Sequence, residues 1–140
     1  MSVKTFADTN IHVYAHSGSA NPSDQKKKET ALRYLDDCLL VVSTQVLREF
    51  TSVMLGKGKR TADETELLVE DIIEISEIIV DEDLSLVRKA FKVHRKYGYS
   101  YYDSLIISSA LVADCKLLLS EDMQNEQIIE GTLKIVNPFR

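Results

Sequence analysis

The chain has 140 residues, 44% of them hydrophobic and 28% charged, with a formal net charge of −5 at neutral pH. That describes one ordinary domain over residues 1–140, able to bury roughly two thirds of its unfolded surface without disulfides or a structural metal. The hydrophobic content excludes general disorder. No apolar run approaches the ~18 residues of a membrane helix, and Asp8 and Asn10 interrupt any signal-peptide segment. Cys38 and Cys115 lie far apart without paired spacing, which fits a reducing, cytoplasmic setting. The negative charge is the wrong sign for indiscriminate attraction to phosphate, although local patches decide such binding.

In chain order, Val3–Ala7 reads as a short strand, followed by a helical turn after Asn10. The polar stretch 17–24, with Gly18 and Pro22, is a loop that ends in a helix cap, and a helix covers 24–37. Residues 38–42 form a continuous apolar run, the pattern of a buried strand. Helices are expected over Thr44–Leu55 and Ala62–Ile75, separated by a glycine- and lysine-containing loop. A short strand at 77–80 precedes helices at Leu84–Tyr97, closed by Gly98, and at 101–114. Strands at 116–119 and 134–136 complete the chain, and Pro138 stops the last one. Strands alternating with helices imply βαβ units and a mainly parallel sheet, whose ligands bind beyond the carboxyl ends of the strands.

Four acids stand where that rule directs attention. Asp8 directly follows the first strand, although a helix cap is an ordinary role for it. Glu49 shares i, i+3, i+4, i+7 spacing with Val46, Phe50 and Val53, which sets it in an apolar helix stripe. A carboxylate there needs a partner, such as Arg48 or Arg33, or becomes neutral. Asp103 is spaced in the same way with Ile106, Ile107 and Ala110, and lies in a first helical turn where the macrodipole favours it. Asp122 comes just after a strand, with Glu121 beside it as the competing acid. A parallel sheet would bring all four towards one edge. Clustered carboxylates repel one another, and a divalent cation removes the conflict. Oxygen ligands without histidine or cysteine suit Mg2+ or Mn2+ rather than zinc, and such ions serve phosphoryl chemistry.

Other features have plainer readings. Lys57, Lys59 and Arg60 form a compact basic cluster able to pair phosphate, against the alternative of a solvated face. Tyr97, Tyr99, Tyr101 and Tyr102 read first as packing between helices, with base stacking as the functional alternative. His12 and His16 have i, i+4 spacing but lack the glutamate of a metalloprotease motif and a third ligand. His94 falls on a stripe with Leu84, Val87 and Phe91 and reads as a half-buried core residue. Cys38 and Cys115 read as small core residues.

In order, Phe6-Ala7-Asp8-Thr9-Asn10-Ile11, Glu49 in a helix after the second strand, Tyr102-Asp103-Ser104-Leu105-Ile106, Leu118-Leu119-Ser120-Glu121-Asp122 and Ile135-Val136-Asn137-Pro138-Phe139 resemble the PIN-domain pattern over essentially the whole chain. Ser104 stands where that family commonly has alanine. The resemblance implies an α/β fold, a three-layer α/β/α sandwich around a central mainly parallel sheet. It implies a metal-dependent endoribonuclease, often the VapC-like toxin of a toxin–antitoxin pair, leaving a 5′-phosphate and a 3′-hydroxyl. Asp8, Glu49, Asp103 and Asp122 would be its catalytic, metal-binding quartet for Mg2+ or Mn2+, supported by Thr9, Asn10, Ser120 and Glu121. Lys57, Lys59 and Arg60 would contact the RNA, and a cognate antitoxin and a second copy of the chain would be partners. A HAD-like phosphohydrolase is the enzymatic alternative, although Asn10 replaces the second acid that it requires. A non-catalytic protein-interaction module is the other, its groove formed by apolar faces over 67–79 that read equally as plain core.

Overall fold

Alternation along the strands decides how the layers form. In the computed structural model, which describes residues 2–140, Phe6, Val41 and Leu118 face one core cluster while Ala7, Leu40 and Leu119 face another. Successive strand side chains point to opposite faces, so the sheet needs cover on both sides. The elements are β1 (Val3–Ala7), α1 (Thr9–Ala15), α2 (Pro22–Asp36), β2 (Cys38–Ser43), α3 (Thr44–Leu55), α4 (Ala62–Ile75), β3 (Ile78–Val80), α5 (Leu84–Tyr97), α6 (Tyr101–Val112), β4 (Leu117–Leu119), β5 (Ile128–Ile129) and β6 (Leu133–Val136). Ile11 and Ala15 of α1 with Ala31 and Leu35 of α2 cover one face. Val46 and Phe50 of α3, Ile72 of α4, Leu86 and Val93 of α5 and Ile106 and Ile107 of α6 cover the other. The result is the expected three-layer α/β/α sandwich. Phe6 and Phe50 are fully buried, and truncating such a side chain to alanine typically costs about 3–5 kcal/mol.

The strand order is β3-β2-β1-β4-β6-β5. All neighbours are parallel except the pair β5 and β6. From β1 the chain builds outward through β2 and β3 on one side, then returns to place β4 on the other. The carboxyl ends of β1 and β4 therefore flank a topological switch point, the position where open α/β sheets bind ligands.

Several boundaries differ from the sequence expectation for local reasons. α1 begins at Thr9, and not after Asn10, because Asp8 caps it. α2 begins at Pro22, because Asn21 accepts from the Ser23 backbone at 2.9 Å and Pro22 occupies a first-turn position that needs no donor. β5 was not expected; two residues carry no measurable alternation. On α5 the buried residues are Leu86, Ala90 and Val93, while Leu84, Val87 and Phe91 are exposed. His94 is consequently an exposed residue and not a core one. The 67–79 stretch is only partly core, because Ile72 is buried whereas Leu67, Ile75 and Ile79 are exposed. The tyrosines divide similarly, with Tyr102 exposed and Tyr97, Tyr99 and Tyr101 half-buried. Among the described residues no helix is long and apolar enough to cross a membrane.

Candidate active site

Pairing of β1 with β4 sets the first and last of the four acids side by side. The Asp8 backbone N–H donates to the Leu119 carbonyl at 2.9 Å. The Asp8 side chain, only 8% exposed, accepts from the Thr9 backbone at 2.7 Å and from the Ser120 hydroxyl at 2.9 Å. Ser120 in turn accepts from the Asp122 backbone N–H at 3.3 Å. One buried hydroxyl thus joins the two strand-end acids. The first turn of α1 reaches the remaining ones. Asn10 Nδ2 donates to Asp122 Oδ2 at 3.0 Å, and Thr9 Oγ1 donates to Glu49 Oε1 at 2.9 Å.

Asp103 enters from α6, whose start is fixed by Ser100 as its cap and by Gln45, which donates to the Tyr102 carbonyl at 3.3 Å. Asp8, Glu49, Asp103 and Asp122 line one cavity of about 630 Å³, together with Thr9, Asn10, Tyr14 and Gln45. Glu49 reaches it differently from the sequence expectation. Val46 and Phe50 are buried, but Glu49 is exposed at the edge of that stripe and faces the cavity. Arg48 pairs with Glu82 instead, and Arg33 lines a separate cavity.

Of the adjacent acids 121 and 122, only Asp122 lines the cavity. Glu121 accepts from Tyr14 at 3.0 Å and is ion-paired with Lys27. Lys27 also lies over the Tyr14 and Phe139 rings, 4.7 and 5.3 Å from their centroids. Gln45 and Tyr14 had no signal in the sequence, because each acts through contacts between distant segments. Lys57 lines the rim of the acidic cavity, whereas Lys59 and Arg60 do not. His12 is fully buried with neither ring nitrogen hydrogen-bonded. Burial and the neighbouring His16 hold it down at about 3, a neutral packing residue.

The electrostatics of the cavity follow from its construction. Burial pushes the Asp8 carboxyl up to about 6, the charges of Asp103 and Glu49 add to this, and the Ser120 and Thr9 hydrogen bonds oppose it. Asp103 is raised by burial and then by the charge of Asp122, against the Ser100 hydrogen bond. Buried like charge and an oxygen-only donor set fit a hard divalent cation. Among the described residues no three of His, Cys, Asp or Glu stand close enough to enclose an ion by themselves. Thr9, Asn10 and Ser120 each donate a hydrogen bond to one of the carboxylates. Mg2+ is a cation of that hard, oxygen-binding kind, and it takes one or two carboxylates directly while keeping several waters.

Comparison with known proteins agrees with this architecture. No curated protein matches the sequence significantly. A toxin–antitoxin complex from Klebsiella pneumoniae shares the fold with a TM-score of 0.68 and 18% identity, over 96% of this chain and 97% of that one. VapBC2 from Rickettsia felis, solved bound to a DNA fragment from its promoter, superposes with a TM-score of 0.60 and 18% identity, over 96% of this chain and 99% of that one. The sarcin-ricin loop cleaving toxin VapC20 from Mycobacterium tuberculosis does so with a TM-score of 0.58 and 16% identity, over 81% and 86% of the two chains. The PIN domain family model matches residues 5–128, a span that includes every residue lining the acidic cavity. The chain belongs to the PIN domain family.

Proposed function

We propose that residues 1–140 form a single-domain, metal-dependent endoribonuclease, and that it is the toxin of a toxin–antitoxin pair. The observation that supports this most is the convergence of Asp8, Glu49, Asp103 and Asp122 on one cavity at the switch point of a PIN-family sheet. In this reading Asp8, Asp103 and Asp122 hold one or two Mg2+ or Mn2+ ions, with Glu49 completing the set. When bound, such an ion supplies a water of lowered pKa and offsets charge on the non-bridging phosphate oxygens. The chain itself supplies position. Ser120 and the Thr9 backbone fix Asp8, Asn10 turns Asp122 inward, and Thr9 holds Glu49. Lys57 at the rim meets the incoming phosphate backbone, with Lys59 and Arg60 behind it. Glu121 braces the segment that carries Asp122 from outside the cavity.

The solved relatives described as toxin–antitoxin complexes support a cognate antitoxin as protein partner, and we propose a second copy of the chain as the other. The PIN family match and the use of the Asn10 amide on Asp122 argue against a HAD-like phosphohydrolase. The test is cleavage of a mixed structured RNA pool with Mg2+ or Mn2+, comparing the native chain, Asp8→Asn and added EDTA. Cutting should require the metal and disappear in the variant, by about 100- to 1,000-fold, the usual effect of losing one charge-stabilising group. Cutting that survives both changes would sink the assignment.

A further inference from the structure

Beside the acid-lined cavity lies a second of nearly equal size, about 610 Å³, with Ser17, Gly18, Lys57, Gly58, Lys59 and Arg60 in its walls. Val13, Val53 and Lys57 line both cavities, so the two are contiguous. The second is a built feature and not a loose cleft. Arg60 donates to the His16 carbonyl at 2.9 Å, and a Cβ at Gly18 would lie 3.5 Å from its guanidinium. Lys28 donates to the Ser17 carbonyl at 2.9 Å. Two cations from different elements therefore fasten the loop after α1 through backbone oxygens alone. Across the cavity, Gly58 lets the loop after α3 fold back tightly, since a Cβ there would fall 2.8 Å from the Met54 carbonyl oxygen. Lys59 holds left-handed backbone (φ 50°) that glycine would adopt without cost.

Among the described residues none of Lys28, Lys57, Lys59 and Arg60 is in a salt bridge. Glu64 also lines the cavity, but its carboxylate is committed to the Thr61 backbone in a capping box. Glu64 keeps its charge there and offsets part of that of Arg60, so three cations against one carboxylate leave the walls net positive, directly beside a cavity whose acids repel phosphate. A polyanion can enter the acidic cavity only if cations hold it from close by.

We infer that the second cavity receives the phosphate of the nucleotide flanking the scissile one, so that single-stranded RNA lies across both cavities with Lys57 at their shared rim. This deepens the nuclease reading and rests on it. Lys57 and Lys59 meet the phosphate as point charges, while Arg60 chiefly holds the wall and lends its remaining N–H groups. Recognition here is of the backbone and is independent of base.

The experiment is fluorescence anisotropy with a short labelled oligouridylate in EDTA, where metal-dependent cutting is off, repeated across a range of salt. Releasing a counterion per phosphate contact gives a log–log slope of about −0.7 per contact for single strands. Lys57→Ala and Lys59→Gly should each weaken binding several-fold and flatten the slope by about 0.7. Lys59→Gly suits the left-handed backbone, so a loss there reflects the missing ammonium group. Lys116→Ala, an exposed lysine at the amino end of β4, should leave both quantities unchanged. Unchanged slopes in both loop variants, or no binding of the oligouridylate to the native chain, would overturn the inference. Flattened slopes in a protein that never cuts RNA would leave the cavity assignment standing and remove the nuclease reading. Metal-dependent cutting with unchanged slopes would do the reverse.

Discussion

The two adjoining cavities are nearly equal in size and opposite in construction. The acidic one is framed by strand ends and first helical turns, and short side chains such as Thr9, Asn10 and Ser120 hold its carboxylates in place. The basic one is formed by two loops, fastened by long side chains that reach backbone carbonyls. The difference shows in the protonation energetics. Burial and neighbouring charge raise Asp8 and Asp103, whereas Lys57 and Lys59 are exposed. Strand ends and first helical turns hold charge that burial disfavours, and the fastened loops hold charge that faces solvent. Destabilising charge can be kept only where the scaffold over-determines its position.

The largest effect expected from breaking that contrast is on stability. Asp8 has an ordinary value of 3.8 and a folded value of about 6. Between those two pH values the folded chain keeps a proton that the unfolded chain has lost. In EDTA the native chain therefore loses stability as pH rises through this window, and the loss is complete above it. Asp8→Asn keeps the acceptor for Thr9 and can donate to Ser120, yet carries no charge. At neutral pH it should be more stable than the native chain by about 3 kcal/mol, with the difference vanishing below the window. Urea unfolding of both proteins across pH measures this. Equal stability at neutral pH would show that the acidic cavity holds no such conflict. The same variant should be the least active, so activity and stability move in opposite directions.

A smaller effect concerns how the acidic side is braced. Glu121 does not enter the cavity, but Lys27 and Tyr14 hold its side chain while Asn137 donates to its carbonyl at 3.4 Å. Glu121→Ala should lower RNA cleavage by about 10-fold, the lower end of effects seen for groups that orient metal ligands. The loss should appear in kcat more than in KM, because Asp122 is displaced while the basic wall is untouched. Glu121→Gln keeps the acceptor for Tyr14 and should recover most of the rate. An equal loss in both variants would point to the charge of Glu121, not to its placement.

These contrasts also explain what the sequence could reveal. Asp8 and Asp122 stand out because an acid directly after a strand of a parallel sheet has few places to go. Asp103 stands out through its first-turn position before an apolar stripe. Glu49 was singled out by a stripe argument that does not describe it; it reaches the cavity from an exposed position at the stripe's edge. Gln45, Lys27 and Arg60 act over 57, 94 and 44 residues of separation, and no local periodicity records such pairings. The layered fold was legible because Leu39 to Val42 and Leu117 to Leu119 are apolar on both faces. β5 was not, because a two-residue antiparallel strand is set by its partner β6. Asn21 and Pro22 read as loop residues, although the same pair makes a helix start once the chain turns there.

The smallest predicted effect concerns Glu49, which with Asp122 is one of the two exposed members of the quartet. Thr9 Oγ1 donates to Glu49 Oε1 across 40 residues of separation, and Glu49 is exposed. Removing the hydroxyl therefore costs little stability, since an exposed hydrogen bond is readily replaced by water. Thr9→Val keeps the branched shape at the first position of α1 and leaves the backbone contact to Asp8 in place. Its stability should stay within about 0.5 kcal/mol of the native chain, as for most surface changes. If Glu49 completes the metal set only when turned inward, kcat should fall a few-fold and KM should hold. Thr9→Ser, which keeps the donor, should restore the rate. A Thr9→Val enzyme with undiminished kcat would show that Glu49 finds the cavity unaided, and would make α3 alone responsible for its place in the quartet.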